Sequence, residues 1–207
     1  MPNQPDPEGD LRARRTGRPK GESGLRDDIL AAALRQFADD GFANTSVRSV
    51  AREAGVDPGL VRHYFGSKDV LLREVVQLRV EPASLIADVL ADGPAHAGHR
   101  LAEAVARLVA DEGRAPLMTA MLRAAATEEE GARLVRETVT SAILTPLAEA
   151  LGADRPRLRA ALAGSQVVGF LAASRIVGLE PLQGLSVEDV ARALGPTFQR
   201  YLTGPID

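Results

Sequence analysis

The chain has 207 residues, of which 45% are hydrophobic and 26% charged, so it can bury a sizeable core and is neither a disordered nor a collagen-like polymer. It contains no cysteine, which excludes disulfide scaffolds, thiolate zinc sites and cysteine nucleophiles. Only 3% of the residues are aromatic, and the abundance of Ala, Leu and Arg favours helices over sheets.

The amino-terminal segment, residues 1–22, is predicted to be a mobile basic arm. Residues 11–20 carry five cations and no acid, whereas the whole chain has a net charge of −3, so the positive charge is local and suits a polyanionic partner. Gly17-Arg18-Pro19 resembles an AT-hook core that inserts Arg18 into a narrow minor groove. A generic basic arm held by phosphates is the alternative. The first ten residues lack the apolar run of a signal peptide, which predicts a cytoplasmic protein.

Helical spacing of apolar residues, together with capping residues, predicts about nine helices and no strand. The first four are expected from Ser23 to Gly41, from a cap at Asn44 or Thr45 to Gly55, from Pro58 to Gly66, and from Lys68 to about Val80, where Pro82 interrupts or restarts the helix. The other five are expected from Arg100 to Asp111, from Pro116 to Ala126, from a Thr127/Glu130 capping box to about Leu151 with a kink at Pro146, from Pro156 to Val177, and from a Ser186/Asp189 capping box to about Leu202.

Two short helices separated by Gly55-Val56-Asp57 have the spacing of a helix-turn-helix, whose second helix lies in the DNA major groove. Ala51 is small where the two helices must approach, Gly55 can adopt the left-handed turn conformation, and Val61 faces the core. The exposed face of the second helix is predicted to carry Asp57, Gly59, Arg62, His63 and Tyr64.

These residue types suit DNA recognition. Arg62 can donate two hydrogen bonds to guanine, and His63 can donate to guanine N7 or to a phosphate. Tyr64, Lys68 and the helix start at Thr45 suit phosphate contacts. The predicted DNA-binding residues are Arg18, Thr45, Arg48, Asp57, Pro58, Gly59, Arg62, His63, Tyr64 and Lys68. The alternative is a structural helical hairpin whose exposed cations are only solvated.

The run from Gly41 to Leu72, including His63-Tyr64-Phe65-Gly66-Ser67-Lys68, resembles the amino-terminal domain of the TetR family of bacterial transcriptional regulators. The resemblance implies an all-α homodimer whose carboxy-terminal domain binds an effector that releases the protein from a palindromic DNA operator. It divides the chain into the arm 1–22, a DNA-binding domain 23–70 and an effector-binding and dimerisation domain 71–207. Val61-Arg62 stands where the family often has Leu-Tyr, so the preferred bases do not follow from the resemblance.

The helix ending at Val177 is apolar on nearly every side, so it must be covered on every side. Only 15 residues lie between Arg159 and Arg175, fewer than the roughly 20 that a membrane span needs, so we expect no membrane contact. A second copy of the chain is predicted to cover one face, although complete burial within one subunit is the alternative. The predicted dimer residues are Ala161, Gly164, Ser165, Val168, Gly169 and Ala172.

The effector is expected to be a small molecule in an adaptable aliphatic pocket, because Met is flexible and aromatic residues are few. The predicted ligand-binding residues are Met118, Met121, Leu122, Gln166, Phe170 and Arg175. Arg175 could bind an acidic group of the ligand or form an internal ion pair. His96 and His99 lie in a predicted turn without further ligands, so neither a metal nor another cofactor is expected.

Two other functions compete with an effector-controlled repressor. An enzyme would need a catalytic site built from scattered Ser, Asp and Arg, because the sequence has no phosphate-binding glycine loop, G-x-S-x-G or H-E-x-x-H motif. An architectural DNA-binding protein would not need the large acidic helical domain.

Overall fold

The computed structural model describes residues 22–77 and 81–206, with side chains from residue 24 onward. The predicted basic arm and Arg18 therefore lie outside the described residues, as does the predicted end of the fourth helix. Within the described ranges the chain is all-α and has no strand, which confirms the predicted fold class.

The amino-terminal helices form one group in chain order. They are α1 (Glu22–Asp39), α2 (Gly41–Asn44), α3 (Val47–Ala54), α4 (Pro58–Phe65) and α5 (Lys68–Gln77). The remaining helices are α6 (Pro82–Leu90), α7 (Ala97–Ala110), α8 (Ala115–Thr127), α9 (Glu129–Val135), α10 (Thr145–Ala150), α11 (Pro156–Leu171), α12 (Glu180–Gln183) and α13 (Val187–Thr203). A 3₁₀ turn, Pro94–His96, precedes α7, and two π-helical segments, Arg136–Leu144 and Ala172–Val177, follow α9 and α11 directly.

All nine predicted helices are present, and three short ones, α2, α6 and α12, were not predicted as separate elements. Pro82 restarts the chain as the first residue of α6. The predicted Thr127 capping box is wrong. Thr127 is the last residue of α8, and its hydroxyl donates to the carbonyl of Arg123 at 3.2 Å. The extended Glu128 precedes α9, and its side chain does not cap that helix.

The discontinuity predicted at Pro146 takes the form of a change in helical register. The π-helical segment Arg136–Leu144 ends just before Pro146, and the N–H of Thr145 donates to the carbonyl of Thr140, five residues back. A proline inside an α-helix leaves one carbonyl without its donor. The wider π register accommodates the proline without ending the helix.

Two hydrophobic cores are joined by α8. The first core packs α1 to α5 against the side chains of Leu117, Met118 and Met121 of α8. The second core lies between α7, α10, α11 and α13, and it includes Leu122 on the other side of α8. The group formed by α1 to α5 is therefore packed directly on the carboxy-terminal helices.

The contact between α7 and α13 is made almost backbone to backbone. A Cβ built on Gly98 would lie 2.3 Å from the backbone N of Gln199, so no larger residue fits there. The N–H of Gly98 donates to Oε1 of Gln199 at 2.8 Å, and Nε2 of Gln199 donates to the carbonyl of Pro94 at 2.8 Å. Gln199 thus satisfies polar backbone groups at the start of α7.

Arg159 of α11 is buried and holds the end of α13. Its Nη1 donates to the carbonyls of Tyr201 and Gly204, both at 2.9 Å, and its Nε donates to the carboxylate of Asp154 at 2.9 Å. The guanidinium therefore satisfies carbonyls that a helix end leaves unpaired. The hydrogen bond from Arg159 lowers the pKa of Asp154, which keeps this carboxylate ionised at neutral pH.

We predict that Gly98→Ala destabilises the protein although alanine is the better helix former by about 1 kcal/mol. The added Cβ meets backbone that cannot rotate away, so the loss should be about 3 kcal/mol, measured by urea unfolding. Gly184→Ala is the control, because a Cβ at Gly184 meets nothing within 4 Å. Equal stability of the two variants would contradict the close packing of α7 on α13.

Candidate nucleic-acid interface and central cavity

The helix-turn-helix is built from α3, a left-handed turn and α4. Gly55 ends α3 with φ 68° and ψ 31°, a conformation that glycine adopts without strain, and its N–H donates back to the carbonyls of Ala51 and Arg52. Ala51, Val61 and Phe65 are buried in the first core. Packing from both helices thus fixes the angle at which α4 presents its outer face.

Ser46 caps α3, whereas the sequence indicated Asn44 or Thr45. Its hydroxyl accepts from the N–H of Ser49 at 3.0 Å, and the Ser49 hydroxyl accepts from the N–H of Ser46 at 2.9 Å. Thr45 is buried, and its hydroxyl donates to the carbonyl of Gly41 at 2.8 Å. Its side chain is therefore turned inward. Arg48, in the first turn of α3, is exposed.

Asp57 has a structural function at the start of α4. Its carboxylate accepts from the N–H of Gly59 at 2.7 Å, and Pro58 occupies the first turn, where its missing N–H costs nothing. A Cβ on Gly59 would lie 2.8 Å from that same carboxylate oxygen. The absence of a side chain at Gly59 therefore leaves space for the Asp57 carboxylate to cap α4.

Arg62 and His63 are exposed on α4, whereas Val61 and Phe65 of the same helix are buried. Tyr64 is half-buried, and its ring lies with its centroid 5.6 Å from that of His63 and 6.1 Å from that of Phe65. Arg62 has no side-chain hydrogen bond or ion pair to another described residue. Its guanidinium is available for an external partner.

Lys68 lies inside the unit and bonds to the protein itself. Its Nζ donates to the carbonyl of Phe42 in α2 at 2.8 Å and lies 4.0 Å from the centroid of the Phe42 ring. This cation–π contact and the charged hydrogen bond fasten the start of α5 to α2. The sequence suggested only a phosphate contact, because no local pattern reveals a partner 26 residues away.

A polar network ties α3 to α1. Glu53 accepts from Arg35 at 2.6 Å and from the amide nitrogen of Gln36 at 2.7 Å. Burial alone would raise the pKa of Glu53, but the hydrogen bonds from Gln36 and Arg35 and the charge of Arg35 together lower it. Glu53 therefore remains ionised at neutral pH and holds α3 on the long first helix.

A cavity of about 410 Å³ lies between α6, α7, α8, the first π-helical segment and α11, and we call it the central cavity. The described residues that line it are mainly apolar, and none is aromatic. They are Leu85, Leu101, Ala104, Val105, Leu108, Met118, Met121, Val139, Ile143, Leu144 and Val167, with the polar residues Glu81, Ser84, Asp88, Arg114 and Thr138. This volume is in the range of small-molecule sites.

The predicted ligand-binding residues divide between different places. Met118 and Met121 line the central cavity, and Leu122 is buried in the second core beside it. Phe170 and Arg175 instead line a separate groove beside α12, where Arg175 donates to the carbonyl of Val109. Gln166 is half-buried and lines neither space.

The polar residues of the central cavity were missed by the sequence analysis. Glu81, Ser84, Leu85 and Asp88 follow the i, i+3, i+4, i+7 spacing, which is the pattern of one helix face. That spacing, beginning beside Pro82 at a helix start, was the available signal. It indicates a shared face but gives no clue to what the face covers.

The predicted dimer residues on α11 and after it do not all face outward. Ala161, Ser165 and Gly169 are exposed, and Val168 and Ala172 are half-buried. Gly164 is buried within the subunit, 3.4 Å from Leu144 when a Cβ is built on it. The segment Pro156–Val177 is long and apolar enough to cross a membrane, yet its inner face packs against the helices of the second core.

Profiles of two known sequence families match the chain. The profile described as bacterial regulatory proteins, tetR family, matches residues 29–75. The profile described as tetracyclin repressor-like, C-terminal domain, matches residues 95–202, which is more than half of the chain. The two matches cover the helix-turn-helix and the helices around the central cavity.

Curated relatives resemble mainly the amino-terminal part. The transcriptional regulator BetI of Agrobacterium fabrum is 40% identical over 70 residues, which are 34% of this chain and 31% of that protein. The transcriptional regulator HbdR of an Aromatoleum species is 43% identical over 47 residues, which are 23% of this chain and 20% of that protein. The chain thus spans less than a third of the length of these relatives.

Solved structures resemble nearly the whole chain. A TetR-family regulator from Streptomyces coelicolor is 28% identical with a TM-score of 0.56, covering 90% of this chain and 98% of that one. NalD of Pseudomonas aeruginosa, the secondary repressor of the MexAB-OprM multidrug efflux pump, is 24% identical with a TM-score of 0.67, covering 88% and 98%. The likeness to NalD concerns the fold alone.

We predict that Lys68→Met lowers the stability of the protein by about 2 kcal/mol, because a charged hydrogen bond and a cation–π contact are lost while the alkyl stem remains. The melting temperature should fall by about 4–8 °C in a scanning calorimeter. Arg62→Met is the matched control and should melt like the parent. An unchanged melting temperature for Lys68→Met would show that the contacts of Lys68 with Phe42 do not stabilise the packing of α5 on α2.

Proposed function

The chain belongs to the TetR family of bacterial transcriptional regulators, and we propose that it is a one-component repressor. It binds a palindromic DNA operator as a homodimer, and it leaves the operator when a small molecule occupies the central cavity. The observation that carries this proposal is the packed α4, which exposes His63 and also Arg62, whose side chain has no hydrogen bond or ion pair to another described residue.

Recognition of DNA follows from the chemistry of that face. Arg62 is long enough to reach base edges in the major groove and to donate a bidentate pair to guanine. The start of α3, with Arg48 and its free backbone N–H groups, suits a phosphate contact that fixes the register of the unit. Four predicted DNA-binding residues contribute indirectly, by shaping the local structure. The start of α4 is formed by Asp57, Pro58 and Gly59, and the turn before α3 is closed by Thr45.

A homodimer follows from the outer face of α11. Ala161, Ser165 and Gly169 carry no charge and are exposed in the single chain, next to the exposed side chain of Leu158. A small-residue face of this kind permits close approach of a second copy, with α13 alongside. One short α4 contacts few bases, whereas two copies held about 34–36 Å apart would meet successive major grooves.

Control by an effector rests on α8. Met118 and Met121 line the central cavity and also belong to the core on which α1 to α5 pack. A molecule in the cavity contacts these side chains, so a molecule larger than the space between them would shift them or the helix that carries them. The cavity therefore favours an effector-controlled repressor over an architectural DNA-binding protein, and a regulator of this kind acts in the cytoplasm.

We expect Arg62→Ala to weaken operator binding by about 1–3 kcal/mol and to relax the preference at one base position. Operators are selected from random DNA with the purified protein, and affinities are then measured by fluorescence titration at fixed salt. Arg107→Ala, which removes an exposed cation from α7, is the control and should bind like the parent. Parent-like affinity and base preference in Arg62→Ala would argue against α4 as the reading helix.

We expect Gly169→Glu to convert the dimer to a folded monomer with weak operator binding. A Cβ on Gly169 meets nothing within 4 Å, so the single chain tolerates the substitution, whereas a buried unpaired charge costs about 3–5 kcal/mol in a dimer seam. Sedimentation at micromolar concentration measures the change, and Ala87→Glu on the exposed side of α6 is the control. The dimer model fails if the parent sediments as a monomer that still binds a palindrome tightly.

A further inference from the structure

One side of the central cavity carries two carboxylates. One face of α6 and of the residue that precedes it lines the cavity with four residues, namely Glu81, Ser84, Leu85 and Asp88. Glu81 and Asp88 are exposed at the entrance, and neither forms an ion pair with any residue that the structure describes. Within the described part of the chain, their negative charge is therefore left without an ion-pair partner.

The positive charge among the described lining residues does not offset this negative charge. Arg114 is the cation among the described lining residues, and its Nε lies 3.3 Å from Oδ2 of Asp111. Asp111 thus compensates Arg114, which leaves the two carboxylates of α6 in excess. The hydroxyls of Ser84 and Thr138 add polar groups without charge.

The interior of the cavity is aliphatic. Met118, Met121, Leu101 and Ile143 form part of its wall, and no described lining residue is aromatic. A flat aromatic ligand would find no ring on which to stack, whereas a flexible or alicyclic body fits a wall of methionine and branched aliphatic side chains.

We propose that the effector of this protein is an organic cation with an aliphatic body, whose charged group is attracted by the carboxylates of Glu81 and Asp88. The inference rests on the proposed function, because it specifies the chemistry of the molecule that would occupy the central cavity. An ammonium group donates hydrogen bonds that one of the two carboxylates or the Ser84 hydroxyl accepts, the second carboxylate adds attraction at longer range, and the body displaces water from the aliphatic wall. An anionic head group would meet repulsion at the same entrance.

The test compares three probes that share a ten-carbon tail and differ in the head group, namely decylammonium, decanol and decanoate. Binding to the full chain is measured by isothermal titration calorimetry below the micellar range of the two ionic probes and below the solubility limit of decanol. We expect decylammonium to bind about tenfold more tightly than the other two, which is about 1.4 kcal/mol. The preference should shrink in 0.5 M salt, since exposed carboxylates are screened, with a Debye length of roughly 4 Å under those conditions.

The double variant Glu81→Gln/Asp88→Asn assigns the preference to its residues. It should bind decylammonium and decanol with affinities within about threefold of each other, while decanol binds as it does to the parent. Glu149→Gln/Glu180→Gln removes the same charge from exposed positions outside the cavity and should keep the tenfold preference. Melting curves of both variants verify that they fold.

Each outcome is informative. Equal binding of the three probes, tighter binding of decanoate, absence of binding by all three, or an unchanged preference in Glu81→Gln/Asp88→Asn would overturn the inference. Release of the operator is measured separately with the same probes. A preference for the cation without release of DNA would support the assigned ligand chemistry and contradict control by an effector. Release of DNA by the anionic or neutral compound alone would support control by an effector and contradict the assigned ligand chemistry.

Discussion

The packing of α8 against two cores is the contact on which the rest of the molecule depends. One side of this helix buries Leu117 and Ala124 among the helices of the DNA-binding unit, and Leu122 on another side belongs to the carboxy-terminal core. Met118 and Met121 lie between, facing both the first core and the cavity. The group α1 to α5 and the central cavity therefore share one supporting helix. Methionine suits this position because its unbranched thioether fills irregular space in several rotamers.

Local signals were sufficient for the helix-turn-helix. Gly55 marks a left-handed turn, Pro58 marks a first helical turn, and the apolar spacing around them matches one buried face, so sequence reasoning identified α3 and α4 and the glycine that ends each of them. It predicted the cap of α3 at Asn44 or Thr45, whereas Ser46 caps the helix. It did not identify the partners that come from distant segments. Lys68 bonds to Phe42, and Thr45 rather than its neighbour Ser46 turns inward to Gly41. Two adjacent hydroxyls have the same capping chemistry, and tertiary packing decides which of them faces the helix.

The carboxy-terminal helices show a second reason why sequence patterns are insufficient. Along α11 the apolar and small residues continue around the helix, so periodicity separates no inner face from an outer one. Gly164 and Gly169 have the same residue type, yet the first is buried against Leu144 and the second is open. Glu81 and Asp88 likewise look like ordinary solvated acids until the packing of α6 brings them to a cavity. These distinctions depend on which helices become neighbours.

The backbone contact at Gly98 leaves little freedom where α7 begins. At this point α7 rests on the main chain of Gln199 without space for a Cβ, and further along the same helix Leu101 and Val105 contribute to the wall of the central cavity. Another part of that wall consists of the thioethers of Met118 and Met121, which can change rotamer without a shift of the helix axis. Under the proposed control by an effector, a bulky molecule in the cavity would therefore be accommodated more readily by α8 than by the start of α7.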